Sequence, residues 1–135
     1  MYLNRLNPEQ KELFLDLCIH AAMANGTFAN DEKEMIALYC EEMQLLVPRY
    51  EAETDKDTAI EELKKLSTPQ ELRMILFEIA GLVLSDNICD EDEKLYINDF
   101  ALKTGMEKAC VDEAISVLTE LKSIYSRIDA FVANS

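Results

Sequence analysis

The sequence is poor in the residues that most active-site chemistry needs. It has one histidine, His20, three glycines and four cysteines in 135 residues. His20 falls near the edge of the apolar stripe of the first predicted helix, so it reads as a partly buried structural residue rather than a catalytic base. No Ser-His or Cys-His arrangement and no glycine-rich phosphate loop accompanies it, and an enzyme is not expected. Cys18, Cys40, Cys89 and Cys110 lie far apart, without a CxxC pair or a histidine spaced for zinc, which excludes a zinc or dithiol redox role. Three of them lie on predicted apolar helical faces, as inert core residues do, and Cys89 sits in a polar turn. The longest wholly apolar run, Ile79 to Leu84, is too short to span a bilayer, and Met1 to Gln10 lacks the apolar stretch of a signal peptide. The expectation is a cytoplasmic protein. Basic residues are also scarce: 13 Lys and Arg stand against 27 Asp and Glu, a net charge of -14. That surplus repels phosphate backbones and anionic lipid, so neither nucleic acid nor membrane is an expected partner. Cations and basic protein surfaces are the partners it attracts.

What the chain has is helical periodicity throughout, the mark of a single all-α domain over residues 1–135 with about six or seven helices. Asn7-Pro8 supplies a cap followed by proline at the first helical position, and Leu13, Phe14, Leu17, Cys18 and Ala21 then recur on one face. A second helix is predicted from Asn30 to Leu46, ended by Pro48, with Met35, Ile36, Tyr39, Cys40 and Met43 inward. Arg49 to Asp57 reads as a polar connector before a shorter helix to Leu66. Thr68-Pro69-Gln70-Glu71 is a capping box that opens a strongly apolar helix through Leu72, Ile75, Ile79 and Val83. A further helix is predicted from Glu91 to Thr104, stopped by Gly105, and a last one from Glu107 to Val132. The apolar face of that last helix is unusually broad. Burial of the whole face inside the domain is the favoured reading, with homodimerisation through one flank as the alternative.

Shifting the chain by 61 residues, from Glu32 to Glu93, aligns Asp31-Glu32-Lys33 with Asp92-Glu93-Lys94, and apolar positions match on both sides. Two repeated helical hairpins follow, over about 8–47 and 68–105, each centred on an acidic turn. In this register Asn25 and Asp86 each precede a glutamate, Glu32 or Glu93, by seven residues. A compact turn folds two such oxygens toward one point, although helix N-termini attract carboxylates as caps without any ligand.

Ala24-Asn25-Gly26-Thr27-Phe28-Ala29-Asn30-Asp31-Glu32 and Ser85-Asp86-Asn87-Ile88-Cys89-Asp90-Glu91-Asp92-Glu93 resemble the repeated A-D-G-x-x-x-x-x-E turn of the tellurite resistance TerB-like family. Leu72 to Glu78 and Phe100 to Gly105 are similar to that family's long apolar helix and closing L-G segment. The resemblance implies a non-enzymatic, TerB-like helical module in a bacterial stress-response setting, binding a metal ion or acting as an interaction module. It places candidate metal ligands at Asp86, Glu93, Glu32 and Asn25, the last standing where the family has aspartate; Asn87 replaces the family's glycine and Ser85 its alanine. Oxygen ligands of this kind suit Ca²⁺ or Mg²⁺, with no organic cofactor implied. An EF-hand is excluded because, counting from Asp86, its third and twelfth positions fall on Ile88 and Ile97. The other expectation is a module that docks a basic protein, or a second copy, with no metal site.

Overall fold

The computed structural model describes residues 1–24, 30–45, 49–84 and 91–134, without the side chains of Asp31 and Glu93. Among these residues the chain is all-helical: a 3-10 turn, Leu3–Arg5, then α1 (Pro8–Ala22), α2 (Asn30–Glu42), α3 (Lys56–Leu66), α4 (Pro69–Val83), α5 (Glu91–Lys103) and α6 (Lys108–Ala133). The starts of α1 and α4 are set by the same device. The Asn7 and Thr68 side chains accept from Gln10 N and Glu71 N, those residues' side chains reach back to the cap N–H, and proline follows each cap. The element bounds keep the offset seen in the sequence: α4 starts at 69 and α1 at 8, α5 at 91 and α2 at 30, a difference of 61 in both cases.

The ends of α2 and α5 also correspond. Gln44 stands at φ 62 and Gly105 at φ 84, the left-handed conformation that closes a Schellman motif. The motif's bonds are present in both: Leu45 N donates to Cys40 O at 2.9 Å and Met106 N to Ala101 O at 2.8 Å. The helix predicted to reach Leu46 therefore stops at Glu42, because the chain turns left-handed at Gln44 before Pro48 is reached.

α1 packs on α3 and α4, α2 on α1 and α4, and α5 and α6 on α4. The core between them is filled by Phe14, Leu17, Ile36, Ile60, Ile79 and Phe100, all fully buried. Burying each such side chain is worth roughly 1.5–3 kcal/mol. Two phenols inside it are satisfied by helix carbonyls: Tyr39 donates to Glu78 O at 2.8 Å and Tyr96 to Leu17 O at 2.9 Å. The first residues are part of the fold, with Leu3 and Leu6 buried and Leu3 N donating to the Glu42 carboxylate at 2.8 Å.

The connector after α2 is pinned to α1. Arg49 bonds Asp16 at 2.6 Å and Glu12 at 2.9 Å, while Glu53 N donates to the same buried Asp16 at 2.9 Å. Burial works against the Arg49 charge, but Asp16 and Glu12 more than compensate and hold its pKa above the ordinary arginine value. His20 Nε2 donates to Thr54 O at 2.8 Å, and the residue is partly buried, as its place at the edge of the apolar stripe of α1 predicts.

α6 departs from the expectation of a fully covered face. Only Val111 and Leu118 of this helix are buried, and every residue from Ser123 to Asn134 is exposed. The physical reason lies in the length of the helix. The buried line, Val111 and Leu118, continues one and two heptads later as Tyr125 and Val132, which are apolar yet 57% and 62% exposed, while the partly buried Ile115 is followed by Lys122 and Asp129, so the helix runs on past the part of the body that covers its first half.

Candidate functional site

Two regions are candidates: the chain on either side of the two acidic turns, which themselves lie outside the described residues, and the exposed flank of α6. Of the four proposed ligands, Asn25 and Asp86 lie outside the described residues, as does the side chain of Glu93. Glu32 is the third residue of α2 and is only 2% exposed, which is unusual for a carboxylate in the first turn of a helix. Ala24, which ends the described part of the first hairpin's leading arm, and Asp92, in the first turn of α5, line one open cavity of about 570 Å³. The chain on the near side of the first turn thus comes close to the chain on the far side of the second.

The same cavity contains His20, Lys56, Tyr96 and Asp99. Lys56 Nζ pairs with Asp99 at 3.0 Å and lies 5.4 Å from the centre of the Tyr96 ring, so a lysine occupies the cation seat this wall offers. Lys103 reaches the same Asp99 oxygen, Oδ2, also at 3.0 Å. Burial opposes the Asp99 charge, but the bonds from Lys103 and Lys56 prevail and hold its carboxyl below the usual aspartate value. Among the described residues no group of three or more His, Cys, Asp or Glu side chains is placed to hold a metal ion.

The cysteines within the described residues sit as core residues do. Cys18 and Cys40 are buried, Cys110 partly so, and burial first of all pushes the thiols of Cys18 and Cys40 up, away from the reactive thiolate. Cys89 lies outside the described residues.

α6 presents a different kind of surface. Along its free flank Val117, Ile124, Ile128 and Phe131 are each about half exposed or more, reaching 80% at Phe131. With Cys110, Ala114 and Leu121 they form an unbroken alternation of four and three residues, the spacing of an a/d seam. On the body side this seam opens into a groove of about 190 Å³ between α4 and α6, lined by Leu76, Phe77, Cys110, Ala114 and Val117 with Arg73 and Glu113 at its polar edge. The periodicity of this face was visible in the sequence. Its exposure was not, because a hydrophobic stripe shows which side of a helix is covered but not by what.

No helix among the described residues is long and apolar enough to cross a membrane. Compared with protein-family models, curated proteins and solved structures, the chain gives no match.

Proposed function

We propose that this chain is a non-enzymatic, acidic helical module of TerB-like type that acts by docking another protein along the exposed flank of α6. The observation that carries this reading is the exposure of Ile124, Ile128 and Phe131 in one line on a helix whose first half is anchored in the core. A contiguous apolar stripe rimmed by polar residues is a protein contact surface by its chemistry, and water is its least favourable cover. The duplicated hairpin then serves as the scaffold that holds the helix out, and the resemblance in its acidic turns supports a role in a bacterial stress response. A photoreactive benzophenone amino acid in place of Phe131 tests the reading in living cells. A covalent protein adduct is expected at position 131 and none at Asp112, which lies on the opposite, exposed face. Absence of an adduct at 131 overturns the docking role.

A second reading, a Ca²⁺ or Mg²⁺ site built from the two acidic turns, is favoured by the burial of Glu32 and by the shared cavity of Ala24 and Asp92. Thermal denaturation in EDTA and then in excess Ca²⁺ or Mg²⁺ tests it. A site occupied at about 100 times its dissociation constant adds about 2.7 kcal/mol, and an unchanged midpoint removes the site.

A further inference from the structure

Building on the docking role of α6, we infer that the occupant of its flank is a second copy of this chain, with the two α6 helices antiparallel and Phe131 of each seated against Ala114 of the other. Three observations lead to this arrangement. The first is charge. The chain as a whole carries -14, but the segment from Leu121 to Ala133 carries Lys122 and Arg127 against Asp129 alone. Two copies are therefore repelled at their bodies and not along this segment. A parallel pair of helices would set the two acidic bodies side by side, whereas an antiparallel pair sets them at opposite ends of the contact. Between Ala114 and Phe131 that contact runs for roughly 27 Å, well beyond the Debye length of about 8 Å at physiological ionic strength.

The second observation is shape. In an antiparallel seam each a residue meets a d residue of the other helix, as knobs meet holes. One register places Leu121 opposite the partner's Ile124, Val117 opposite the partner's Ile128 and Ala114 opposite the partner's Phe131, and symmetry repeats each layer. The smallest residue of the seam then meets the largest. It does so at the groove of about 190 Å³ that Leu76 and Phe77 of α4 line together with Ala114. The 80% exposed Phe131 ring and the apolar groove are thus the two halves of one contact.

The third observation selects that register. The positions flanking the seam on its outer side are Glu113, Glu120 and Arg127. In the register just described Glu120 faces the partner's Arg127, twice by symmetry. Moving the partner one heptad one way brings Arg127 against the partner's Arg127 and leaves Ala114 with nothing opposite, while one heptad the other way sets Glu120 against the partner's Glu120 and moves Phe131 off Ala114 to face the partner's Glu107. A parallel pair would put these charges beside Leu118, Tyr125 and Val132, where they meet no opposite charge.

Sedimentation of the purified chain with charge-exchanged variants decides the matter. Wild type is expected to form a dimer that Glu120→Arg and Arg127→Glu each weaken roughly tenfold or more, since each turns two attractive pairs into two repulsive ones. Glu120→Arg combined with Arg127→Glu is expected to restore it. Both side chains are exposed, so neither change threatens the fold. Two single variants that dimerise like wild type, or a double variant no better than the singles, overturn the register. A chain that stays monomeric at all accessible concentrations overturns the inference while leaving the docking role intact, which stands or falls on the adduct at position 131. In that crosslinking experiment an adduct of twice the chain's mass supports the second copy, and an adduct of any other mass counts against it.

Discussion

Gln44→Gly should make the protein more stable, and the size of the gain follows from comparing the two hairpins. Both α2 and α5 end in a Schellman motif whose turning residue has positive φ, 62° at Gln44 and 84° at Gly105. For an L-residue the left-handed region costs about 1–2 kcal/mol, because Cβ approaches the carbonyl oxygen that follows it. Glycine removes that cost but gives back about 0.5–1 kcal/mol through the greater freedom of the unfolded chain. The Gln44 side chain is exposed, so little packing is lost with it. The net expectation is a gain of about 0.5–1 kcal/mol, which raises the midpoint by roughly 2–4 °C for a domain of this size. The converse change, Gly105→Ala, should cost about 1 kcal/mol or more, since no side-chain contact within 4 Å repays the strain. Urea unfolding with a common slope for wild type and both variants measures these differences. If Gln44→Gly lowers stability, the turn is held by something other than its backbone geometry, and the comparison of the two motifs fails.

The Arg49–Asp16 pair lies between the exposed and the buried extremes, with Asp16 almost fully buried and the Arg49 side chain 20% exposed. Arg49→Met should therefore cost about 2 kcal/mol, between the value for a surface pair and the 3–5 kcal/mol of a fully buried one, and a change in midpoint below about 2 °C would place it with ordinary surface pairs. Tyr39 and Tyr96 have phenol pKa values pushed up first of all by burial and then by neighbouring negative charge. Their burial contributes stability that is complete below about pH 10, the ordinary tyrosine value, and is lost progressively above it. Tyrosinate absorbance and circular dichroism recorded together during an alkaline titration should show these two ionising only as the helices unfold; a full signal from all five tyrosines in a still-helical protein contradicts this.

Where the local chemistry is strong, the sequence and the structure agree closely. Asn7-Pro8 and Thr68-Pro69 start α1 and α4 where capping and proline geometry require, and the alignment of Glu32 with Glu93 reappears in the bounds of four helices. Where the outcome depends on tertiary contacts, the sequence was less informative. Arg49 read as part of a polar connector because nothing local reveals that the buried Asp16 lies opposite it. Met1 to Leu6 have no helical period, yet Leu3 and Leu6 are buried in the core, and the Glu42 carboxylate, far along the chain, accepts from Leu3 N there. Position 44 has neither the glycine nor the asparagine that usually marks a left-handed stop, so the sequence predicts a helix to Leu46 where α2 ends at Glu42. The α6 flank has the right residues at the right spacing, but it takes the exposure of Tyr125 and Val132, the continuation of the buried line of Val111 and Leu118, to show that the body ends before the helix does.

The claim on which the functional account rests is that the far half of α6 is covered by another protein chain rather than by its own domain. Hydrogen exchange of peptides from residues 121–133, followed as the protein is diluted, reads this directly. A helical segment that leaves the body has little protection alone and gains it on association, so protection here should fall with dilution while that of α1 and α4 stays constant. Protection in 121–133 equal to that of the core helices and independent of concentration would mean that the domain covers the segment itself, contradicting the account.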